Sequence, residues 1–245
     1  MEKTKTCRRG LKRLLAFLLS ALCLLGLLPM SAFAMEPGQT ASSWLGDQYV
    51  GFDGQHYYSP APYTYLVYNS DGTMDVRTSS GGSAYRHYML TVSDGSSHQV
   101  YCVESGIPYN TSDNTYTSES GTNSQYLNLL PAEARRGITL TAIYGWKPGA
   151  SLPVSGINED DYKMATQIIL WEYQQQLRSA PYSRHGNGPA SAAQYYSVIA
   201  GRPAEKAYNW SLEQVASHST LPSSTSSTKH GAPQLEPHRS SSQRL

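Results

Sequence analysis

The sequence predicts an α+β domain, an antiparallel β-sandwich or barrel carrying an inserted helical subdomain, with the closing C-terminal strands not found in the sequence. Three observations predict it. Trp44 to about Gly106 is rich in β-branched and aromatic residues punctuated by turn pairs, which is strand chemistry. From Leu130 onward the apolar spacing changes to a helical period, with helix start and stop signals. A basic and apolar leader places the whole outside the cell.

The leader comprises Lys3, Lys5, Arg8, Arg9, Lys12 and Arg13, an apolar run from Leu14 to Leu28, and Ala32-Phe33-Ala34. It reads as a signal peptide over residues 1–34, because the run is short of the roughly 18 residues of a spanning helix. Cleavage would leave 211 of the 245 residues. Six of the 19 basic and one of the 18 acidic residues lie in the leader, leaving 13 against 17. That balance offers no basic field for nucleic acid. All 19 tyrosines fall after the leader but only four lysines do, Lys147, Lys163, Lys206 and Lys229. Such a surface suits a secreted binding module.

Strands are expected over about 46–106 and read as a meander. Thr64 to Tyr68 and Thr73 to Thr78 flank Asn69-Ser70-Asp71-Gly72, and Ala84 to Val92 and Gln99 to Val103 flank Asp94-Gly95-Ser96-Ser97. Each connection holds an Asp-Gly pair suited to positive φ in a tight turn. Period two puts Val100, Cys102 and Glu104 on one face, with Cys102 near a strand end. Tyr109 to Ser124 is polar and aperiodic and reads as an exposed loop.

The helical part is expected over about 130–218. Pro131 opens a first helix running to about Ile143. Glu159-Asp160-Asp161 places three carboxylates at the N-terminus of a second, running to about Leu177. A shorter helix ends at Gly201, and a last one spans Pro203 to about His218. Residues 221–245 are Ser/Thr/Pro-rich with little apolar content and read as a disordered or non-native tail. The domain proper is thus expected at 35–220.

Cys102 is the one cysteine outside the leader, since Cys7 and Cys23 lie within it. A leftover thiol in a secreted chain is paired with another molecule, reactive, or already bonded to a side chain. Gln167 lies in Met164-Ala165-Thr166-Gln167-Ile168-Ile169-Leu170-Trp171, apolar on nearly every side and so a core helix. A glutamine there either hydrogen-bonds well or has been chemically changed. Trp171, four residues on, shares its stripe and leans toward it.

The chain resembles the thioester domains of Gram-positive bacterial surface adhesins. Tyr101-Cys102-Val103-Glu104 is similar to their first signature, aromatic-Cys-hydrophobic-acidic. Thr166-Gln167-Ile168-Ile169-Leu170-Trp171 is similar to their second, Thr-Gln-x-Ala-Ile/Val-Trp, with Ile169 and Leu170 departing but still apolar. The resemblance covers about 49–221. It implies an internal thioester between Cys102 and Gln167 that captures a lysine amine on a host or neighbouring surface molecule, once per molecule and without turnover. Tyr101, Glu104, Thr166 and Trp171 would support it, with no metal or other cofactor, in a monomer at the cell surface. Lys163, four residues before Gln167, could in principle attack the bond internally. After Pro222-Ser223 the family has phenylalanine, whereas Ser224 stands here and no strand-like sequence follows. Two rival readings are a non-covalent tyrosine-rich β-sandwich binder and a cysteine hydrolase using Cys102 with His87, His98 or His185 as base.

Overall fold

A computed structural model describes residues 37–59, 61–82, 84–103, 105, 115–118, 124–179, 183–184 and 192–218. The chain divides into two compact units, Met1–Met35 and Glu36–Leu245, and every described residue belongs to the second. The expected leader and the expected tail lie outside the described residues. Along the chain run β1 (Thr40–Gln48), β2 (Tyr63–Tyr68), β3 (Met74–Ser79), β4 (Arg86–Val92), β5 (Ser97–Val100), β6 (Thr115–Thr117), α1 (Gln125–Leu129), α2 (Ala132–Tyr144), α3 (Glu159–Gln174), β7 (Arg178–Ser179), β8 (Ser183–Arg184), α4 (Ala192–Tyr196) and α5 (Pro203–Ser217). The class is therefore α+β with antiparallel sheets, as expected.

Both Asp-Gly connections close hairpins, β2–β3 and β4–β5, with Gly72 at φ 83° and Gly95 at φ 84°. Those values lie in the left-handed region that glycine reaches without a Cβ clash. The meander is not observed. β1 pairs with β4, so the main sheet runs β5-β4-β1-β6 and the β2–β3 hairpin forms a sheet of its own. Nor is all of 109–124 loop: Thr115–Thr117 pairs with the start of β1, Ala41 opposite Tyr116. Sheet pairing outweighs the weak local signal there because β1 offers an edge. The short helix Gln125–Leu129 follows that stretch, capped by Ser124.

The first long helix, α2, begins after Pro131 and ends at Gly145. The next, α3, is buried at every position from Asp161 to Gln174 except Lys163, so it is a core helix. A capping box starts it: Asn158 Oδ1 accepts from Asp161 N–H and Asp161 Oδ2 accepts from Asn158 N–H, both at 2.8 Å, satisfying two orphan donors. Asp161 also accepts from Phe52 N–H and, at 2.5 Å, from the Tyr57 hydroxyl. Its buried carboxylate therefore fastens the helix to the turn after β1.

The helix stops three residues short of Leu177. Gln176 takes φ 56°, and Leu177 N–H and Gln176 N–H return to Glu172 O and Tyr173 O. That is a Schellman ending with glutamine where glycine is usual. The side chain explains the choice, since Gln176 Nε2 donates to Tyr68 Oη at 3.0 Å and so reaches the β2–β3 hairpin. The core gathers α2, α3 and α5 with Tyr49, Tyr57 and Tyr85 from the strand region. Inside it, Arg178 Nε donates to Glu172 Oε2 at 2.5 Å, and Tyr208 donates to both Glu172 oxygens. A buried charge pair of this kind needs such added hydrogen bonds to offset its desolvation.

Candidate functional site

Gln167 projects from the middle of α3 and is wholly buried. Its side-chain amide lies against the main chain of Cys102. Cys102 N–H donates to Gln167 Oε1 at 3.0 Å, and Gln167 Nε2 donates to Cys102 O at 2.7 Å. The glutamine thus pairs with residue 102 as a neighbouring strand would, although β5 ends two residues earlier at Val100. The expectation that Cys102 belongs to the strand end is corrected in that detail: a side-chain amide takes over where the ladder stops. Cys102 is half-buried and in no disulfide.

The flanking residues of both partners meet at a third point. Tyr101 donates to Trp146 O at 3.2 Å, and Thr166 Oγ1 accepts from Trp146 N–H at 2.9 Å while donating to Tyr162 O. Trp146 follows α2, and the neighbouring Gly145 has no room for a Cβ because Thr166 fills the space. The residue before Cys102 and the residue before Gln167 are therefore tied to one backbone unit, which fixes the register of segment against helix. Burial pushes the Tyr101 phenol up, partly offset by its hydrogen bond to Thr166.

Beyond the cysteine, Val103 O accepts from the Tyr126 hydroxyl at 2.8 Å, and Ser105 Oγ meets the Tyr195 hydroxyl at 2.5 Å. Glu104 lies outside the described residues. Trp171 is buried one turn after Gln167, its ring 5.1 Å from Tyr85 and 5.7 Å from Tyr195. With Ile168, wholly buried, these rings make an apolar wall. Tyr85, Tyr126, Trp146, Ser105 and Tyr195 are site neighbours that sequence reasoning missed. An abundance of tyrosine was visible, but no local motif marks which ones converge.

Residues 99–216 match the family model described as thioester domain. Residues 99–216 are a thioester domain. Membership points to a thioester-bearing adhesion module rather than a classical enzyme, of a kind typically found on the cell surface. No curated protein and no solved structure matches the chain. No described helix is long and apolar enough to cross a membrane. Among the described residues no group of three or more His, Cys, Asp and Glu side chains could hold a metal.

The thioester domain places the histidines of the hydrolase reading in other company. His87 Nδ1 lies 3.0 Å from Gln99 Oε1 and its Nε2 lies 3.2 Å from Asp160, while His98 Nε2 lies 2.8 Å from Ser96 Oγ. His185 is outside the described residues. Lys163, one turn before Gln167, is engaged with Glu159 and Asp160, each at 3.4 Å, and sits 4.5 Å above the Trp146 ring.

Proposed function

We propose that this thioester domain, over about 35–220 and released from a leader ending at Ala34, is a secreted or surface adhesin module of a Gram-positive bacterium. It acts as a monomer and captures a lysine amine on a host or neighbouring surface molecule through a Cys102–Gln167 thioester. The four-stranded sheet and the β2–β3 sheet would be the two parts of its sandwich or barrel. The observation that carries the reading is the two-way clamp between the Gln167 amide and the Cys102 backbone.

The sulfur branches from the Cα that lies between the two clamping groups, so the amide carbon is held beside the residue that bears the nucleophile. Thiolate is the attacking species, and fixed proximity supplies a high effective concentration. Attack on Gln167 Cδ forms the C–S bond and moves charge onto Oε1, where Cys102 N–H already donates. The C–N bond then breaks and ammonia leaves, carrying the proton that the thiol gave up.

Capture runs the same path in reverse with a different amine. Its nitrogen enters where Nε2 stood, within reach of Cys102 O as an acceptor, and forms the new amide. Cys102 leaves as thiolate and takes up the proton shed by nitrogen. The apolar wall of Ile168, Trp171 and Tyr101 keeps water from the acyl carbon in the meantime.

Intact mass tests this. The leaderless protein should be lighter than its sequence by one ammonia, with no thiol reactive toward a thiol reagent. Methylamine should add once and release one thiol, and Cys102→Ala should have the full mass of its sequence. A wild-type protein of full mass with a titratable thiol sinks the proposal.

A further inference from the structure

The capture chemistry leaves one surface unused, the outer strand of the β2–β3 hairpin. We infer that β3 is a self-pairing edge: two copies of this chain join strand to strand, antiparallel, about a two-fold axis at Val76. The inference goes beyond the thioester reading and does not depend on it.

The two edges of this hairpin are treated differently. Thr64 and Leu66 turn their N–H and C=O groups away from β3, where Gln194 and Gln175 clamp them. Residues opposite each other in an antiparallel pair either both bond inward across the pair or both point outward from it. Thr78 lies opposite Thr64, Val76 opposite Leu66 and Met74 opposite Tyr68. These three residues therefore direct N–H and C=O outward on the β3 side. Every residue from Met74 to Thr78 is exposed, Met74 at 51% and Val76 at 55%, so that edge lies open to solvent. Among the described residues β2 is the one strand paired with β3.

An open edge is usually blunted by lysine, proline, a bulge or charges that repel a second strand. β3 has no lysine or proline and an unbroken register with β2, and its two charges are one acid and one base, Asp75 and Arg77, 3.5 Å apart. With a second copy antiparallel and Val76 opposite Val76, Asp75 of each falls opposite Arg77 of the other. Those are non-hydrogen-bonded positions, where opposed side chains come closest, and opposite charges there attract. On the other face Val76 meets its twin and Met74 meets Thr78. The outward N–H and C=O groups of Met74, Val76 and Thr78 in both copies find partners. Sliding by two residues, the next register in which outward groups still meet, sets Asp75 on Asp75 or Arg77 on Arg77, which like charge disfavours.

Each copy keeps its own Cys102 and Gln167, so capture is still carried out chain by chain. One strand pair is small beside the roughly 1,200 Å² buried in a stable complex. The chain is therefore single when dilute. Pairing belongs to crowded copies, such as neighbours held on one surface, where tethering raises the effective concentration.

The test is sedimentation equilibrium of the leaderless chain over a rising concentration series, with amide hydrogen exchange measured beside it. Cys102→Ala is run in parallel so that an intermolecular disulfide cannot supply the dimer. Wild type and Cys102→Ala should associate alike, and the amides of Met74, Val76 and Thr78 should exchange more slowly as concentration rises. Asp75→Arg or Arg77→Asp alone should weaken association on the order of tenfold, because each then opposes like charges to its own copy. An equal mixture of the two variants should restore it, since one strand is then basic and the other acidic at both positions. The double exchange Asp75→Arg, Arg77→Asp should behave as wild type. Both side chains are half exposed, so the variants keep the fold. A protein that stays single up to millimolar concentration overturns the inference and leaves the edge to a strand from a different protein. Association that both single variants keep, that the mixture fails to restore, or that protects other amides places the contact on another surface and overturns it too. Each of these results leaves the thioester standing, because the ammonia deficit is read separately.

Discussion

Gln175 holds Leu66 as Gln167 holds Cys102. Leu66 N–H donates to Gln175 Oε1 at 2.5 Å and Gln175 Nε2 donates to Leu66 O at 3.2 Å. Gln194 repeats the pattern on Thr64, two residues along the same strand. Alternate residues present their backbone groups to the same edge, so the two glutamines together cover one edge of β2 while β3 covers the other. Gln167 differs in one respect: the backbone unit it grips belongs to a cysteine.

That comparison separates the structural role of a buried amide from its chemistry. Gln175→Leu keeps the bulk but leaves Leu66 N–H and C=O without their side-chain partners in a buried setting. Each unsatisfied group costs about 1 to 3 kcal/mol, so the two together predict a loss of about 2 to 6 kcal/mol, read as a lower urea midpoint. The ammonia deficit should persist in this variant. Gln167→Leu should lose stability and deficit alike. A Gln175→Leu protein as stable as wild type would mean the edge of β2 needs no such cover.

Acid should loosen the junction between α3 and the strands. Burial alone would raise the Asp160 carboxyl, but the hydrogen bond and charge of His87, the charge of Lys163 and the Val50 N–H outweigh it and hold Asp160 below its ordinary value of 3.8. A carboxyl depressed in the folded state adds stability above its unfolded value, and that contribution is lost as pH falls through the folded value. Asp160→Asn should therefore cost less than about 1 kcal/mol at neutral pH, with the two stability curves converging on acidification. Urea midpoints taken across the acid range check this. Curves that stay parallel would place the acid-sensitive group elsewhere.

Much of the scaffold was legible because its signals are local. Asp-Gly pairs set both hairpin turns, and Pro131 and the run from Glu159 to Asp161 set two helix starts, but the stop expected at Gly201 falls late: α4 ends at Tyr196, and Gly201, at φ 73°, closes the turns that follow it. The all-round apolarity of 164–171 announced a core helix, and α3 is one. What the chain hid is long-range. The β1–β4 pairing spans the β2–β3 hairpin, and the strand at 115–117 exists only because β1 offers its edge. Asp161 looked like a simple helix-dipole residue, yet it serves a capping box, Phe52 and Tyr57 together. At the site, Cys102 and Gln167 could be singled out by type and context. The clamp between them, and the tie of Tyr101 and Thr166 to Trp146, depend on tertiary placement that no spacing encodes.

Lys163 poses the sharpest internal hazard to a stored acyl group, because residues four apart on a helix are neighbours. Two carboxylates and an aromatic face hold its ammonium: Glu159 and Asp160, each at 3.4 Å, and the Trp146 ring at 4.5 Å. An ammonium has no lone pair with which to attack, and the two ion pairs engage the end of the side chain. Removing them in a Glu159→Gln, Asp160→Asn double variant frees the end of the side chain to reach Gln167 at alkaline pH. Attack would join Lys163 Nζ to Gln167 Cδ and expel Cys102. The product keeps the mass of the thioester form but gains a titratable thiol, so combined mass and thiol assay identifies it without ambiguity. Several-fold faster appearance of that species in the double variant than in wild type at the same alkaline pH is expected, and Lys163→Arg in the same background should abolish it. Equal rates in all three proteins would show that the buried setting of Gln167, rather than the ion pairs, is what protects the acyl group from its own helix.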